Sequence, residues 1–360
     1  MNPLTVRRLL KHFWFWFLWR SGATSWAKAR LAHNGATVIL TLHRVVPLEQ
    51  LRQSNSPLGM LLSLPTATAL VTFIKQHASS SSLAVPLPSK KVNVALTFDD
   101  GWEDNYDVCT KLLYPFSIAA TIFVCPDLLD RSQPFWPERA LSLLRKAQVS
   151  PETQCAFEEV LAHYSEGPGT FTYASWIEHL KAIPIPLREA TLETLITRLG
   201  STLTTADNTM TWEQLRHLSS LGFEIGAHTN RHELLPSLSR EQQWEELLAP
   251  RDMMLKQLGH TPRFFSYPNG DGTAELGEMV KEAGYENAFI NTSGTWSAET
   301  PPFLIPRNNV SEARLLGIDG QFSSASAHYL LFWLPYRHRS LAARREAALP
   351  KQLLHAPTGS

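Results

Sequence analysis

The chain has 360 residues, 44% of them hydrophobic and 18% charged, with a formal net charge of zero. That supplies a sizeable core and gives no global pull toward nucleic acid, and no apolar run reaches the roughly 18 residues of a membrane span. Three cysteines without C-x-x-C spacing argue against a disulfide framework or a zinc knuckle. Cys125 ends an apolar run and reads as a buried thiol, which suits a reducing compartment.

The charge is unevenly spread. Residues 1–48 hold seven Lys/Arg and no Asp or Glu, and the last forty residues hold Arg337, Arg339, Arg344, Arg345 and Lys351 against Glu346 alone. Residues 1–34 read as a basic, aromatic helical leader, with Phe13-Trp14-Phe15-Trp16-Phe17-Leu18-Trp19 set among Arg7, Arg8, Lys11 and Arg20. The apolar run is short, Arg20 closes it and no A-x-A site follows, so it makes a poor signal peptide. Trp and Phe beside Arg and Lys suit a helix lying in a membrane interface. Packing of that helix on the protein's own body is the competing expectation.

Thr37 to Leu42 is apolar enough for a buried strand and ends at His43-Arg44. Residues 47–65 carry Pro47, Pro57, Gly59 and Pro65 and read as loop. Thr66 to His77 is helical, and Ser79 to Ser82 with Pro86 to Lys91 reads as a polar linker. Val92 to Phe98 is the central strand and runs straight into Asp99-Asp100-Gly101. Two acids at the end of a buried strand are costly unless something uses them. Neighbouring strand residues point to opposite faces, so the two carboxylates are expected to do different jobs. Glu103 to Leu113 (helix) and Ile118 to Cys125 (strand) continue the alternation.

Residues 126–209 interrupt it. Four helical pieces, divided by Gly167-Pro168-Gly169 and Pro184-Ile185-Pro186, read as a helical insertion or lid. The alternation resumes with helix Thr211 to Leu221 and strand Phe223 to Ala227, then His228-Thr229-Asn230-Arg231-His232. On a helical turn, His at i and i+4 share a face and can hold one ion. Helix Arg240 to Leu258 and strand Arg263 to Tyr267 lead to a Pro-Asn-Gly turn whose N–H groups can face an oxyanion. Helix Thr273 to Ala283 and strands Ala288 to Asn291 and Phe303 to Ile305 complete the pattern. Strands alternating with helices predict parallel strands under covering helices. Trp136, Trp176, Trp212 and Trp244 read as packing residues, whereas Trp102 and Trp296, near expected rim loops, are candidates for stacking on a bound ligand.

Thr97-Phe98-Asp99-Asp100-Gly101, His228-Thr229-x-x-His232 and Phe265-Ser266-Tyr267-Pro268-Asn269-Gly270, in this order, resemble the motifs of polysaccharide deacetylases, the NodB-type domain of carbohydrate esterase family 4. Thr211-Trp212-Glu213-Gln214-Leu215, the run Gly222 to His228 and Pro306-Arg307 extend the resemblance over roughly residues 37–310. It implies an α/β fold, a distorted (β/α) barrel, occupying 35–310 between the 1–34 leader and a basic 311–360 extension. It also implies a divalent metal, zinc or cobalt, on Asp100, His228 and His232, with Asp99 as general base and a backbone N–H near Asn269 on the oxyanion.

Two features depart from the family pattern. The usual Arg of the third motif is missing, and Arg307 is the candidate replacement for orienting Asp99; a surface Arg after proline is the bland reading. The late Leu-x-His motif is also missing. A subset of the family looks circularly shifted, with a Tyr-His-Arg-Val-type first strand, and by that likeness His43 is the candidate general acid. The expectation is therefore a metal-dependent enzyme that removes N-acetyl groups from an amino sugar in a polysaccharide or lipid-linked glycan. It would work in the cytoplasm, in peripheral contact with the inner face of the membrane. A silent carbohydrate-binding protein and an O-acetyl esterase are the alternatives.

Overall fold

The computed structural model describes residues 3–52, 54, 56–83, 91–130, 136–164, 172–200 and 208–339. Residues 84–90 of the expected linker, and Arg344, Arg345 and Lys351, lie outside the described residues. Helices α1 (Pro3–Arg20) and α2 (Ala23–His33) lead into β1 (Thr37–Leu42), β2 (Arg44–Val46), β3 (Leu61–Ser63), α3 (Leu64–His77), β4 (Ser79–Ser80) and β5 (Asn93–Phe98). After α4 (Glu103–Val108) and β6 (Ala120–Val124) come α5 (Trp136–Ala147), α6 (Pro151–Tyr164), α7 (Tyr173–Ala182) and α8 (Ile185–Arg198). Then follow α9 (Trp212–Ser220), β7 (Glu224–Ala227), α10 (Arg240–Leu258), β8 (Phe264–Ser266), α11 (Ala274–Glu282), β9 (Asn287–Ile290), β10 (Ile305–Pro306), β11 (Asn308–Asn309), α12 (Glu312–Leu315) and α13 (Ser324–His328).

Eight strands run parallel in the order β10-β9-β8-β7-β6-β5-β1-β11. β10 and β11 are consecutive pieces of one segment with Arg307 between them. That segment pairs with β9 on one side and β1 on the other, which closes the sheet into a distorted (β/α) barrel. β1 and β5 are buried at every position, as strands covered on both faces must be. Alternate side chains point inward: Ile39, Ala95, Phe123, Phe264, Phe289 and Ile305 fill the barrel. Gly226 has no alternative there, because a Cβ would lie 2.5 Å from the Phe123 ring. The opposite faces, Val38, Leu40, Val94, Leu96 and Ile122, pack under helices such as α3, whose Leu70, Val71 and Ile74 are buried. Each such side chain contributes about 1.5–3 kcal/mol by leaving water.

Some expected loops are ordered. Ser79–Ser80 pairs with β5 instead of serving as linker, and Leu61–Ser63 pairs with β2 inside the expected 47–65 loop. The leader forms two helices, and α1 docks by one face, with Phe15 stacked on Tyr329 at 3.8 Å between centroids. Helices α5–α8 build a separate apolar cluster around Phe157, Trp176, Leu180 and Leu192. They are tied down by the buried Arg188–Glu233 pair at 2.6 Å, with Arg188 also stacked over Trp136.

Candidate active site

The C-terminal ends of the parallel strands form one rim, and the side chains that carry chemistry converge there. A cavity of about 360 Å3 is lined by His43, Asp99, Asp100, His228, His232 and Arg307, with Asn269 also in its wall. All seven expected site residues therefore meet in one place. Trp136, Ile177 and Lys181 from the helical segment and Met60 from the 47–65 stretch close over it.

Asp99 continues the inward series of Ala95 and Thr97. Asp100 would point away from the barrel, but its φ of 77° turns the chain back. Both carboxylates consequently face the same cavity, and the expected division onto opposite faces does not occur. Asp100 Oδ2 accepts from the Trp102 indole N–H at 3.0 Å. Its Oδ1 lies 3.5 Å from His228 Nε2 and 3.3 Å from His232 Nε2, and it is a buried oxygen without a hydrogen-bond donor. His228 Nδ1 lies 2.8 Å from the Ser266 carbonyl. That carbonyl can only accept, so Nδ1 carries the proton and Nε2 keeps its lone pair. The three ligand atoms lie within 4.8 Å of one another.

The two histidines do not share a helical turn, contrary to the expectation from their spacing. They converge through left-handed residues, Thr229 at φ 59° and His232 at φ 61°. Glu246 of α10, 1% exposed, pins this loop by accepting from the N–H groups of Asn230 at 2.7 Å and Arg231 at 3.0 Å. Non-glycine residues in this conformation store strain that the surroundings must hold.

Arg307, 1% exposed, donates from Nη1 to Asp99 Oδ1 and from Nη2 to Asp99 Oδ2, each at 2.7 Å. The same guanidinium donates to Thr97 Oγ1 at 3.2 Å and Ser266 Oγ at 2.8 Å. Arg307 is thus no surface residue: it sits in the barrel seam, fork to fork with the carboxylate. Burial raises the Asp99 carboxyl, yet the charge of Arg307, with His228 and His43 nearby, brings it below its ordinary value. His43 is half-buried with its Nδ1 shut away from solvent, and burial keeps its ring below the usual histidine value despite the pull of Asp100 and Asp99. In the turn after β8, Gly270 and Asp271 spend their N–H groups on Tyr267 and Pro268, whereas the Asn269 N–H stands outside that ladder at φ 61°. Gly270 is obligatory, since a Cβ would lie 2.4 Å from Asn291 N.

Two sequence expectations fail here. Trp102 is wholly buried under Arg44 and hydrogen-bonded to Asp100, so it cannot stack a sugar. Trp296 pairs with Thr37 at the start of β1, the opposite end of the barrel from the rim. Trp136 packs in the helical segment's apolar cluster, as expected, and also lines the cavity. The sequence reading missed Ser266 as the residue that touches both His228 and Arg307, and Glu246 altogether. Ser266 lay in a motif already noted; Glu246 had no local signal, being one acid among several on a long helix.

The profile of the family described as polysaccharide deacetylase matches residues 87–288. A search of curated proteins returned no match. Among solved structures, the deacetylase PplD of Streptococcus pyogenes in complex with acetate is similar, at 17% identity and TM-score 0.50, covering 77% of this chain and 92% of that one. IcaB from Ammonifex degensii is similar at 16% identity and TM-score 0.50, covering 77% and 92%. A de-N-acetylase from Aggregatibacter actinomycetemcomitans is similar at 15% identity and TM-score 0.50, covering 82% and 100%. At these identities the structural likeness speaks for the fold.

Proposed function

The chain belongs to the polysaccharide deacetylase family, and on that premise we propose that it is a metal-dependent hydrolase removing N-acetyl groups from an amino sugar of a polysaccharide or lipid-linked glycan. The observation that carries this reading is the donor-less, buried Asp100 Oδ1 facing the Nε2 atoms of His228 and His232. One carboxylate and two imidazoles suit a divalent cation with open positions, zinc first and cobalt second. When bound, such an ion lowers the pKa of water and polarises a carbonyl.

Asp99 is the base. Arg307 keeps it ionised and fixed, and after two bonds to the guanidinium the carboxylate still has lone pairs to accept a proton from the attacking water. The Asn269 N–H, which the turn's own hydrogen bonds leave unused, is the donor to the developing oxyanion in this reading. His43 starts neutral, receives from Asp99 the proton that the attacking water gave up, is favoured in its charged form by the two carboxylates then ionised again, and delivers that proton to the departing amine. Arg307 on Asp99 supplies what the third motif lacks, which speaks against a silent binding protein. A cavity of about 360 Å3 lies at the small end of ligand sites, with room for about one sugar ring.

The substrate is lipid-linked or membrane-near, and the enzyme works at the cytoplasmic side. Its cysteines, including the exposed Cys155, are unpaired, and its N-terminal helix is basic and aromatic. No described helix is long and apolar enough to cross a membrane. The test is metal content beside acetate release from N-acetylglucosamine oligomers and from an O-acetylated glycan, for wild type and Asp100→Ala. One bound ion and N-acetyl turnover, both lost in the variant, are expected. Well-folded wild type that takes up no divalent metal on reconstitution would overturn the reading, and release from the O-acetyl substrate alone would make it an esterase.

A further inference from the structure

Helix α1 carries its polarity the wrong way round. Positions 8, 11, 15 and 18 share one stripe, three or four residues apart. In the C-terminal half that stripe is Phe15 and Leu18, 8% and 3% exposed, packed on the body. In the N-terminal half it is Arg8 and Lys11, and these overhang a cavity of about 1040 Å3. Arg7 adds a third cation, His12 lines the cavity with its ring pushed below the usual histidine value by burial and by Lys11 and Arg8, and Leu48, Leu51, Leu58 and Leu61 form an apolar wall. Two acids also line it, Glu49 and Glu312, the latter held in place by Ser63 and Thr66, so the three cations Arg7, Arg8 and Lys11 outnumber them. The cations are poorly neutralised: burial, with the charges of Arg314 and Arg8, pushes Lys11 below its usual value.

The outward face is the apolar one. Leu10, Phe13, Trp14, Trp16 and Phe17 are 46–62% exposed, and Trp26 of α2 adds a further exposed ring at 53%. A soluble surface helix has the reverse arrangement, apolar toward the core and charged toward water. A wide aromatic face beside clustered Arg and Lys is the composition of a helix lying in a lipid headgroup layer.

We propose that α1 and the cavity beneath it form a binding site for anionic lipid: the aromatic face enters the membrane interface, and Arg7, Arg8 and Lys11 hold the phosphate of one lipid whose first hydrocarbon lies along Leu48, Leu51, Leu58 and Leu61. The two cavities share a wall, since Gly59 and Met60 line the catalytic one and Leu58 and Leu61 this one. A lipid held here lies one loop, residues 58–61, away from the catalytic cavity. That consequence rests on the deacetylase reading; lipid binding itself does not.

The full chain is tested by flotation with phosphatidylcholine vesicles, with and without phosphatidylglycerol, and by calorimetry with dihexanoyl phosphatidylglycerol below its micellar concentration. Wild type is expected to float only with the anionic vesicles and to bind the short lipid one to one. Arg8→Ala/Lys11→Ala should weaken both by roughly tenfold or more, as two charges near a lipid surface imply. Its melting temperature should not fall, because truncation relieves like-charge repulsion. Phe13→Ser/Phe17→Ser should abolish flotation while leaving short-lipid binding intact. Arg20→Ala, a cation off the stripe, should change short-lipid binding little. Absence of flotation by wild type, inorganic phosphate binding as tightly as the short lipid, or a lowered melting temperature for Arg8→Ala/Lys11→Ala would overturn the proposal. So would a dimer in light scattering that Phe13→Ser/Phe17→Ser dissociates, since a second copy would then be what covers the face.

Discussion

Replacing Arg307 by leucine isolates the fork-to-fork contact in the barrel seam. The substitution removes two 2.7 Å bonds to Asp99 and leaves that carboxylate buried at 3% exposure without its countercharge. Breaking a buried pair from one side costs about 3–5 kcal/mol. Without the countercharge, burial raises the Asp99 carboxyl above its wild-type position. The sign follows from linkage. In wild type the depressed Asp99 contributes stability that is present above the unfolded carboxyl value of about 3.9 and lost as pH falls. In Arg307→Leu the carboxyl is raised, so stability instead falls as pH rises through the new value. Urea unfolding of wild type, Arg307→Leu, Asp99→Asn and the double variant measures the pair, and the double variant should be more stable than Arg307→Leu alone. The acid limb of kcat/KM should move to higher pH with it. Arg307→Lys should fall between, keeping the charge but losing the fork. Arg307→Leu with an unmoved acid limb and a stability loss under about 1 kcal/mol would refute the coupling between these residues.

Other outcomes follow from the same geometry. His43→Ala should keep its metal and fold while turnover drops by about 10²–10⁴-fold, the range for a lost general acid; near-normal turnover with bound metal would remove His43 from the chemistry. Glu246→Ala strands the buried N–H groups of Asn230 and Arg231, so metal affinity should fall by about 10–100-fold in equilibrium competition with a chelator, with Glu246→Gln milder. His328 is packed against Phe73, His77 and Phe332; burial, with His77 and Lys28 adding positive charge, pushes it down to about 4. Because an unfolded histidine titrates near 6.5, stability should be intact above that pH and decline as pH falls from about 6.5 to about 4. The loss should be about 1–2 kcal/mol after solvent screening. Thermal melts of His328→Gln should show this decline flattened.

Much of this protein is legible along the chain. β1 spans Thr37–Leu42 as expected, and β5, β6 and β7 lie within a residue or two of their expected ends, because an unbroken apolar strand followed by a polar turn is a local signal. Asp99, Asp100, His228 and His232 stand out for the same reason: acids and imidazoles at buried strand ends are expensive wherever they occur. The direction of each side chain was not legible. Asp100 and His232 face the cavity because of positive φ angles, not because of strand or helix periodicity. Trp102 looked like a rim residue and is a buried donor to Asp100.

The inventory of strands, the covering helices and the reactive groups at the strand ends are local properties of the chain, since each depends on neighbours within a few residues. How those groups pair follows from the closed barrel. Arg307 meets Asp99 across 208 positions of sequence because β10 and β11 close the barrel at that residue. Ser266 serves His228 with its carbonyl and Arg307 with its hydroxyl because β8 ends between them. The inverted polarity of α1 is written in its residues, but which face meets the body was settled by where Phe15 and Leu18 find a partner surface. Long-range contacts depend on barrel closure and on the competition for burial, and neither is recorded at any single position.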